Sequence, residues 1–173
     1  QAWLGRDTDL RIMHQLVTSL TDHWDSLDKQ IDVLEVQIKQ LHRDNSASQL
    51  IESIPGVGLL TATATIAAFG DCQQYDCSRQ FSCALGLTPR EHSSGGKQVL
   101  LGISKRGNGY VRKLLVHGAR AVLSARLRSP EHSEDWEVRL AKRRGVNIAV
   151  VALAAKNARR IWAMLHSGEW FRT

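Results

Sequence analysis

The sequence predicts a mainly α fold: a long N-terminal coiled-coil helix, then a compact helical domain carrying one small β-hairpin. Three observations predict it. Apolar residues recur at alternating steps of three and four from Leu10 to Leu41. Capping and turn residues punctuate the remainder at intervals that suit helices. The stretch Lys97 to Ser104, "KQVLLGIS", has the apolar, β-forming character of a strand.

The long helix comes first. Leu10, Met13, Val17, Leu20, Trp24, Leu27, Ile31, Leu34, Ile38 and Leu41 fill ten consecutive core positions of a heptad. With Leu10 at position a, the a series is Leu10, Val17, Trp24, Ile31 and Ile38, and the d series is Met13, Leu20, Leu27, Leu34 and Leu41. β-Branched residues at a with Leu at d favour two parallel strands, so residues 1–44 are expected to dimerise. Trp24 is too large for a standard a site and marks a local irregularity. The alternative is a long helix packed against another helix of the same polypeptide. "DNSAS", residues 44–48, supplies strong capping and turn residues that end this helix, with a short linker after it.

Residues 50–173 form the expected second domain. In residues 50–70 a short helix runs into Pro55-Gly56-Val57-Gly58, and an Ala/Thr-rich helix follows, the pattern of a helix-hairpin-helix. Gly56 and Gly58 would let the backbone approach a phosphate, which the free N–H groups of the next helix could bind without reading sequence. The plain alternative is a Pro-Gly turn between two core helices. "CSRQFSCALGL", residues 77–87, reads as a short helix with Ser78 near its cap and Gly86 at its end. Ser93 to Gly96 form a turn within the hairpin region 88–107, and Gly107-Asn108 cap a helix over Gly109–Arg128. More helix follows: Pro130 opens "EHSEDWEVRLAKRRG", and Gly145-Val146-Asn147 restart the chain into an amphipathic, apolar-rich segment.

The charge is asymmetric. Residues 1–50 carry five Lys/Arg against eight Asp/Glu, and residues 51–173 carry eighteen against nine, so the net +6 divides into −3 and +9. The basic part points to a polyanion, most simply nucleic acid. Between residues 88 and 128 nine basic side chains face Glu91 alone: Arg90, Lys97, Lys105, Arg106, Arg112, Lys113, Arg120, Arg126 and Arg128. Lys105, Arg106 and the N–H groups opening the helix near Gly109 are expected to converge on a backbone phosphate. The residues expected to hold nucleic acid are Gly56, Gly58, Arg90, Lys97, Lys105, Arg106, Asn108 and Arg112.

A serine in a glycine-rich turn inside this field can reach a phosphorus atom with little obstruction. Attack by a hydroxyl needs a base or metal to take its proton and cations to stabilise developing charge. The segment supplies the cations but no carboxylate cluster. A phosphate loop of the GxxxxGK type is excluded, because Lys97 is followed by Gln98 and the spacing is absent. Cys72, Cys77 and Cys83 match neither a zinc pattern nor a disulfide framework and read as reduced, structural cysteines of a cytosolic protein; the lesser alternative is a metal set completed by His92, a few residues beyond. No apolar run reaches membrane-spanning length, and no secretory signal opens the chain. The chain begins at Gln1 directly with helix-like sequence, which predicts a piece of something longer.

Three stretches, "IPGVGLLTATATIAAFGD", "SRQFSCALGLTPREHSSGGKQVLLGISKRGNGYVRKLLVHGARAVL" and "RRGVNIAVVALAAKNARRIWAML", together resemble the C-terminal transposase domain of the insertion-sequence one-ten family, in its eleven-eleven subgroup. The resemblance covers about residues 50–173 in order, and the preceding helix is similar to the coiled-coil region of the same proteins. It implies a bacterial or archaeal cytoplasmic DNA recombinase whose RuvC-like N-terminal domain, missing from this chain, carries acidic ligands for Mg²⁺. It implies a nucleophilic serine at Ser94, before Gly95, with Ser93 as the neighbouring alternative, and a phosphoserine linkage to DNA. Its implied partners are DNA, a structured guide RNA from the element itself, and further copies of the chain, as a dimer through the coiled coil or a tetramer. The competing reading is a noncatalytic module that binds nucleic acid and dimerises.

Overall fold

The computed structural model describes residues 2–96 and 98–172, with side chains from residue 9 onward. It is mainly α, with seven α-helices and one two-stranded antiparallel sheet among the described residues. The chain divides into two compact units, residues 1–40 and 41–173.

The first unit is built from α1 (Ala2–Arg43), whose last turn belongs to the second unit. Its heptad residues from Leu10 to Leu34 are exposed, Leu20 and Trp24 at 68% each. The Trp24 indole leans along the helix, and its Nε1 donates to Asp28 Oδ2 at 2.9 Å.

The second unit starts sooner than the expected linker allows. α2 (Ser46–Glu52) begins inside the 44–48 stretch, because Asn45 accepts the Ser48 amide and starts a new helix two residues after α1 ends. His42, buried at the end of α1, bonds Ser48 Oγ through Nδ1 and Glu52 Oε2 through Nε2, each at 2.8 Å.

α3 (Leu59–Phe69), α4 (Ser78–Ala84), α5 (Gly109–Arg128), α6 (Trp136–Arg144) and α7 (Val146–Ser167) complete the helices. Their common core is aliphatic: Leu115, Ala119 and Leu123 of α5 are fully buried, as are Val150, Ala154, Ala158 and Ile161 of α7. Phe81 of α4 is fully buried too, and packs edge-on against Phe69 at 5.2 Å and Tyr75 at 5.4 Å between ring centroids. Trp162 of α7 ties this cluster down by donating to the Tyr75 carbonyl at 3.0 Å. Pro130 opens only a 3₁₀ turn, Pro130–His132, and the helix proper waits until Trp136.

The sheet is a hairpin of β1 (Pro89–Glu91) and β2 (Leu100–Ile103), pairing Pro89 with Ile103 and Glu91 with Leu100. The register shifts between these pairs, an irregularity of the kind that increases the local twist of a ribbon.

Candidate nucleic-acid interface

The hairpin tip holds the two serines in unlike environments. Ser93 Oγ donates to Glu91 Oε1 at 2.6 Å and accepts the Val99 amide at 3.3 Å, so it is part of the hairpin's own bonding. Glu91 Oε1 also accepts from Gln98 at 3.3 Å. Ser94 is exposed, and its hydroxyl bonds no described residue. The turn beyond it runs through Gly95 at φ 58° and Gly96 at φ 78°, left-handed backbone that side chains other than glycine adopt at a cost. Ser94 thus stands on a tight turn with its oxygen exposed and unbonded among the described residues. Lys97, which the sequence places in the same field, lies outside the described residues.

Below the hairpin, the segment joining β2 to α5 is clamped onto the end of α4. The Ser104, Lys105 and Asn108 amides donate to the carbonyls of Thr88, Gly86 and Ala84 at 2.9, 3.1 and 3.2 Å. Lys105 takes a left-handed φ of 56° to make this fit. Lys105 and Arg106 are left exposed beside each other, with Arg90 exposed on β1.

Asn108 and Arg112 turn out to be committed inside the fold. The Asn108 side chain accepts the Tyr110 and Val111 amides at 3.1 and 3.0 Å, capping α5. These are N–H groups that the sequence offers to a phosphate, so the protein's own cap takes up much of that anion site. Arg112 Nη1 donates to the Leu85 carbonyl at 3.0 Å and braces the clamp. Arg126 is likewise an internal partner: it bonds Asp135 Oδ2 at 3.1 Å and the buried carboxylate of Glu137.

The two hairpin-turn glycines also divide. A Cβ on Gly56 would lie 2.9 Å from the Gly118 carbonyl oxygen, and one on Gly118 would lie 1.8 Å from the Gly56 carbonyl oxygen. This pair therefore lets the α2–α3 turn rest on the backbone of α5. A Cβ on Gly58, the N-cap of α3, meets nothing within 4 Å. Gly58 is the glycine of the pair that faces open space.

Sequence reasoning passed over Arg144 and Asn147. The α6–α7 junction at Gly145 (φ 94°) carries both to the hairpin, where Arg144, Asn147 and Ile148 share a groove with Arg90 and Lys105. Arg120 reaches the same place, donating to Asn147 Oδ1 at 3.1 Å. The run Lys142-Arg143-Arg144 ahead of a helix-breaking glycine was the available signal. Elsewhere, the three cysteines are free thiols. Burial pushes the Cys72 thiol up to about 12, with Asp71 adding to the effect. No group of three or more His, Cys, Asp or Glu among the described residues is placed to hold a metal ion.

Residues 48–137, running from the buried Ser48 of α2 to the buried Glu137 of α6, match the model described as "Transposase IS116/IS110/IS902 family". The chain belongs to that transposase family. It is 46% identical over 162 residues to the transposase for insertion sequence element IS1111A of Coxiella burnetii, covering 94% of this chain and 43% of the relative. It is 36% identical over 157 residues to the transposase for insertion sequence element IS1328 of Yersinia enterocolitica, covering 91% of this chain and 47% of the relative. The chain thus spans about half the length of these curated relatives. The family match encloses the α2–α3 turn at Gly56, the hairpin with Ser94 and all of α5.

Proposed function

We propose that this chain is the serine-bearing part of a DNA transposase, and that Ser94 is its nucleophile. The observation that carries the reading is the contrast at the hairpin tip. Ser93 is bonded to Glu91 and to the Val99 amide, whereas the adjacent Ser94 hydroxyl is exposed and unbonded among the described residues, beside a Gly-Gly turn. In the step proposed, Ser94 Oγ forms a bond to the phosphorus of a DNA phosphodiester as one bridging oxygen departs. The serine proton leaves to a base and the departing oxygen takes up a proton. Lys105, Arg106 and Arg90 hold the phosphodiester and offset the charge that develops on its oxygens.

The resemblance implies Mg²⁺ held by a RuvC-like domain and a structured RNA that chooses the DNA. The described residues of this chain do not gather a metal-ligand set. On this reading the metal belongs to that domain, and the guide RNA enters as a partner of the whole protein.

The test is covalent capture. In a full-length protein carrying this chain, supplied with Mg²⁺ and cognate nucleic acids, Ser94→Ala should abolish protein–DNA adducts while leaving DNA binding nearly intact. Adduct formation by Ser94→Ala but not by Ser93→Ala would move the nucleophile by one residue. If neither change matters, the noncatalytic module becomes the better reading, a module resting on the exposed heptad face of α1 and the exposed cations of the hairpin.

A further inference from the structure

We infer that the groove between the hairpin and the start of α7 is a subsite for unpaired nucleotides. This rests on the reading of the hairpin as the nucleic-acid face. The groove encloses about 710 Å³, within the range of small-molecule clefts, roughly 300–1,000 Å³, and large enough for more than one nucleobase. Its floor is aliphatic, from Leu100, Leu101 and Ile103 on one side and Ile148 and Val151 on the other.

The floor is not core left over from folding. Leu100, Leu101 and Ile148 are 58%, 45% and 50% exposed, whereas the aliphatic residues that pack α5 on α7, Leu115, Leu123, Val150 and Ile161, are fully buried. The rim decides what such a surface would hold. Arg90, Lys105 and Arg144 stand around it, and no carboxylate is among the described residues that line it. An apolar floor inside a rim whose described charges are all positive complements a chain of apolar-faced bases strung on phosphates. An acidic peptide would match the rim, but its carboxylates would leave the aliphatic floor uncovered. A perfect duplex would place only phosphates here and leave the floor wet. Bases that are unpaired, in a bulge or a displaced strand, can leave the stack and cover the aliphatic floor while their phosphates meet the three cations.

The groove adjoins the strands that carry the Ser94 turn. A strand held by its unpaired bases in the groove would lead its backbone toward the hairpin tip. The subsite would therefore favour distorted or strand-separated DNA at the reacting position over intact duplex.

The experiment uses the 173-residue chain and two fluorescent DNA probes of equal phosphate count, one a perfect duplex and one with a three-nucleotide bulge containing 2-aminopurine. The bulged probe should bind about fivefold tighter or better, the lower end of what covering one base contributes. Its 2-aminopurine emission should rise on binding, because a base leaving a quenching stack for an aliphatic surface brightens. Leu101→Ser and Ile148→Ser, at exposed positions where the fold tolerates the change, should remove both the preference and the brightening while duplex binding stays within about twofold, since the phosphate contacts are untouched. Equal affinity of the wild-type chain for the two probes, or a preference that survives both substitutions, overturns the subsite. Neither result touches adduct formation through Ser94, which is read separately. A fall in mass by light scattering for Ile148→Ser, with no change in bulge preference, would show a protein contact in the groove and overturn the proposal as well.

Discussion

Asn157 Nδ2 donates to the Pro55 carbonyl at 2.9 Å, so the middle of α7 holds the turn between α2 and α3 across 102 residues of sequence. The Asn157 side chain is fully buried, and its Oδ1 accepts from Arg160 Nη1 at 3.1 Å. One amide therefore fixes the turn and positions a cation at once. Asn157→Ala should lower the stability of the chain by about 1–3 kcal/mol, the cost of leaving a half-buried carbonyl without its donor and emptying a fully buried site. The measurement is the midpoint of urea unfolding, and an unchanged midpoint would mean that the turn holds without this bond.

The same turn allows a clean separation of folding from binding. Gly56→Val drives a side chain into the Gly118 carbonyl and Val122 from a left-handed φ of 87°, and should disrupt packing of α3 on α5. Gly58→Val enters open space and should leave the helical circular dichroism intact. If the turn touches phosphate, only the Gly58 variant reports it, as weaker DNA binding by a folded protein. Wild-type affinity in folded Gly58→Val would reduce the turn to a core connection.

What was legible in the sequence follows from range. The bounds of α5, Gly109–Arg128, agree with the expectation because its signals are local: Asn108 caps the start and basic residues end the last turn. The hairpin agrees in place, although its second strand is confined to Leu100–Ile103. The start of α2 was missed because DNSAS serves as a stop and a start together, with Asn45 turning directly into the next helix. The roles of Gly56, Arg112 and Arg126 were not legible at all. Each meets its partner through the tertiary fold, and nothing in a run of basic residues distinguishes Arg126, pinned by Asp135 and Glu137, from the exposed Arg106. The candidate site was legible as a charged stretch with two serines; which serine has a free hydroxyl needed the geometry of Glu91 and Val99.

The exposed heptad face of α1 predicts self-association. Leu27 and Leu34 are 44% and 55% exposed in the single chain, both at d positions. Leu27→Lys with Leu34→Lys should convert a dimer to a monomer in light scattering, and the wild-type dimer should persist at high salt because its seam is apolar. A monomeric wild-type chain, or a double variant of unchanged mass, would rule out the seam.

Thiol chemistry distinguishes the three cysteines. Cys72 is fully buried and its thiol titrates at about 12, whereas Cys77 and Cys83 are exposed. Iodoacetamide at pH 8 should label two sites on the native chain and three after unfolding, read by mass spectrometry. The raised Cys72 value also sets a direction for stability. The neutral thiol is favoured in the fold, so its contribution is fully present below the ordinary value of 9.0 and is lost as pH rises toward about 12. Cys72→Ala should flatten that alkaline decline, and equal labelling of all three native cysteines would contradict the burial.

Salt dependence separates cations that meet DNA from cations that hold the fold. Lys105 and Arg106 are exposed on a clamped segment, and Arg144 stands at the groove rim, so each is free to neutralise a phosphate. Each contact releases counterions, so Lys105→Ala, Arg106→Ala and Arg144→Ala should each reduce the slope of log K against log salt by about 0.9 on duplex DNA. Arg126 belongs to the same stretch of sequence, yet it is bonded to Asp135 and to Glu137, whose carboxylate is 1% exposed. Removing it strands a buried carboxylate, so Arg126→Ala should cost about 3–5 kcal/mol of stability and leave the salt slope of any folded fraction unchanged. Arg126→Met, which keeps the stem but not the charge, should be destabilised for the same reason. A slope that falls by the same amount for Arg126→Ala as for Arg106→Ala would mean that the ion pair opens on DNA, and that the basic stretch acts as one undivided surface.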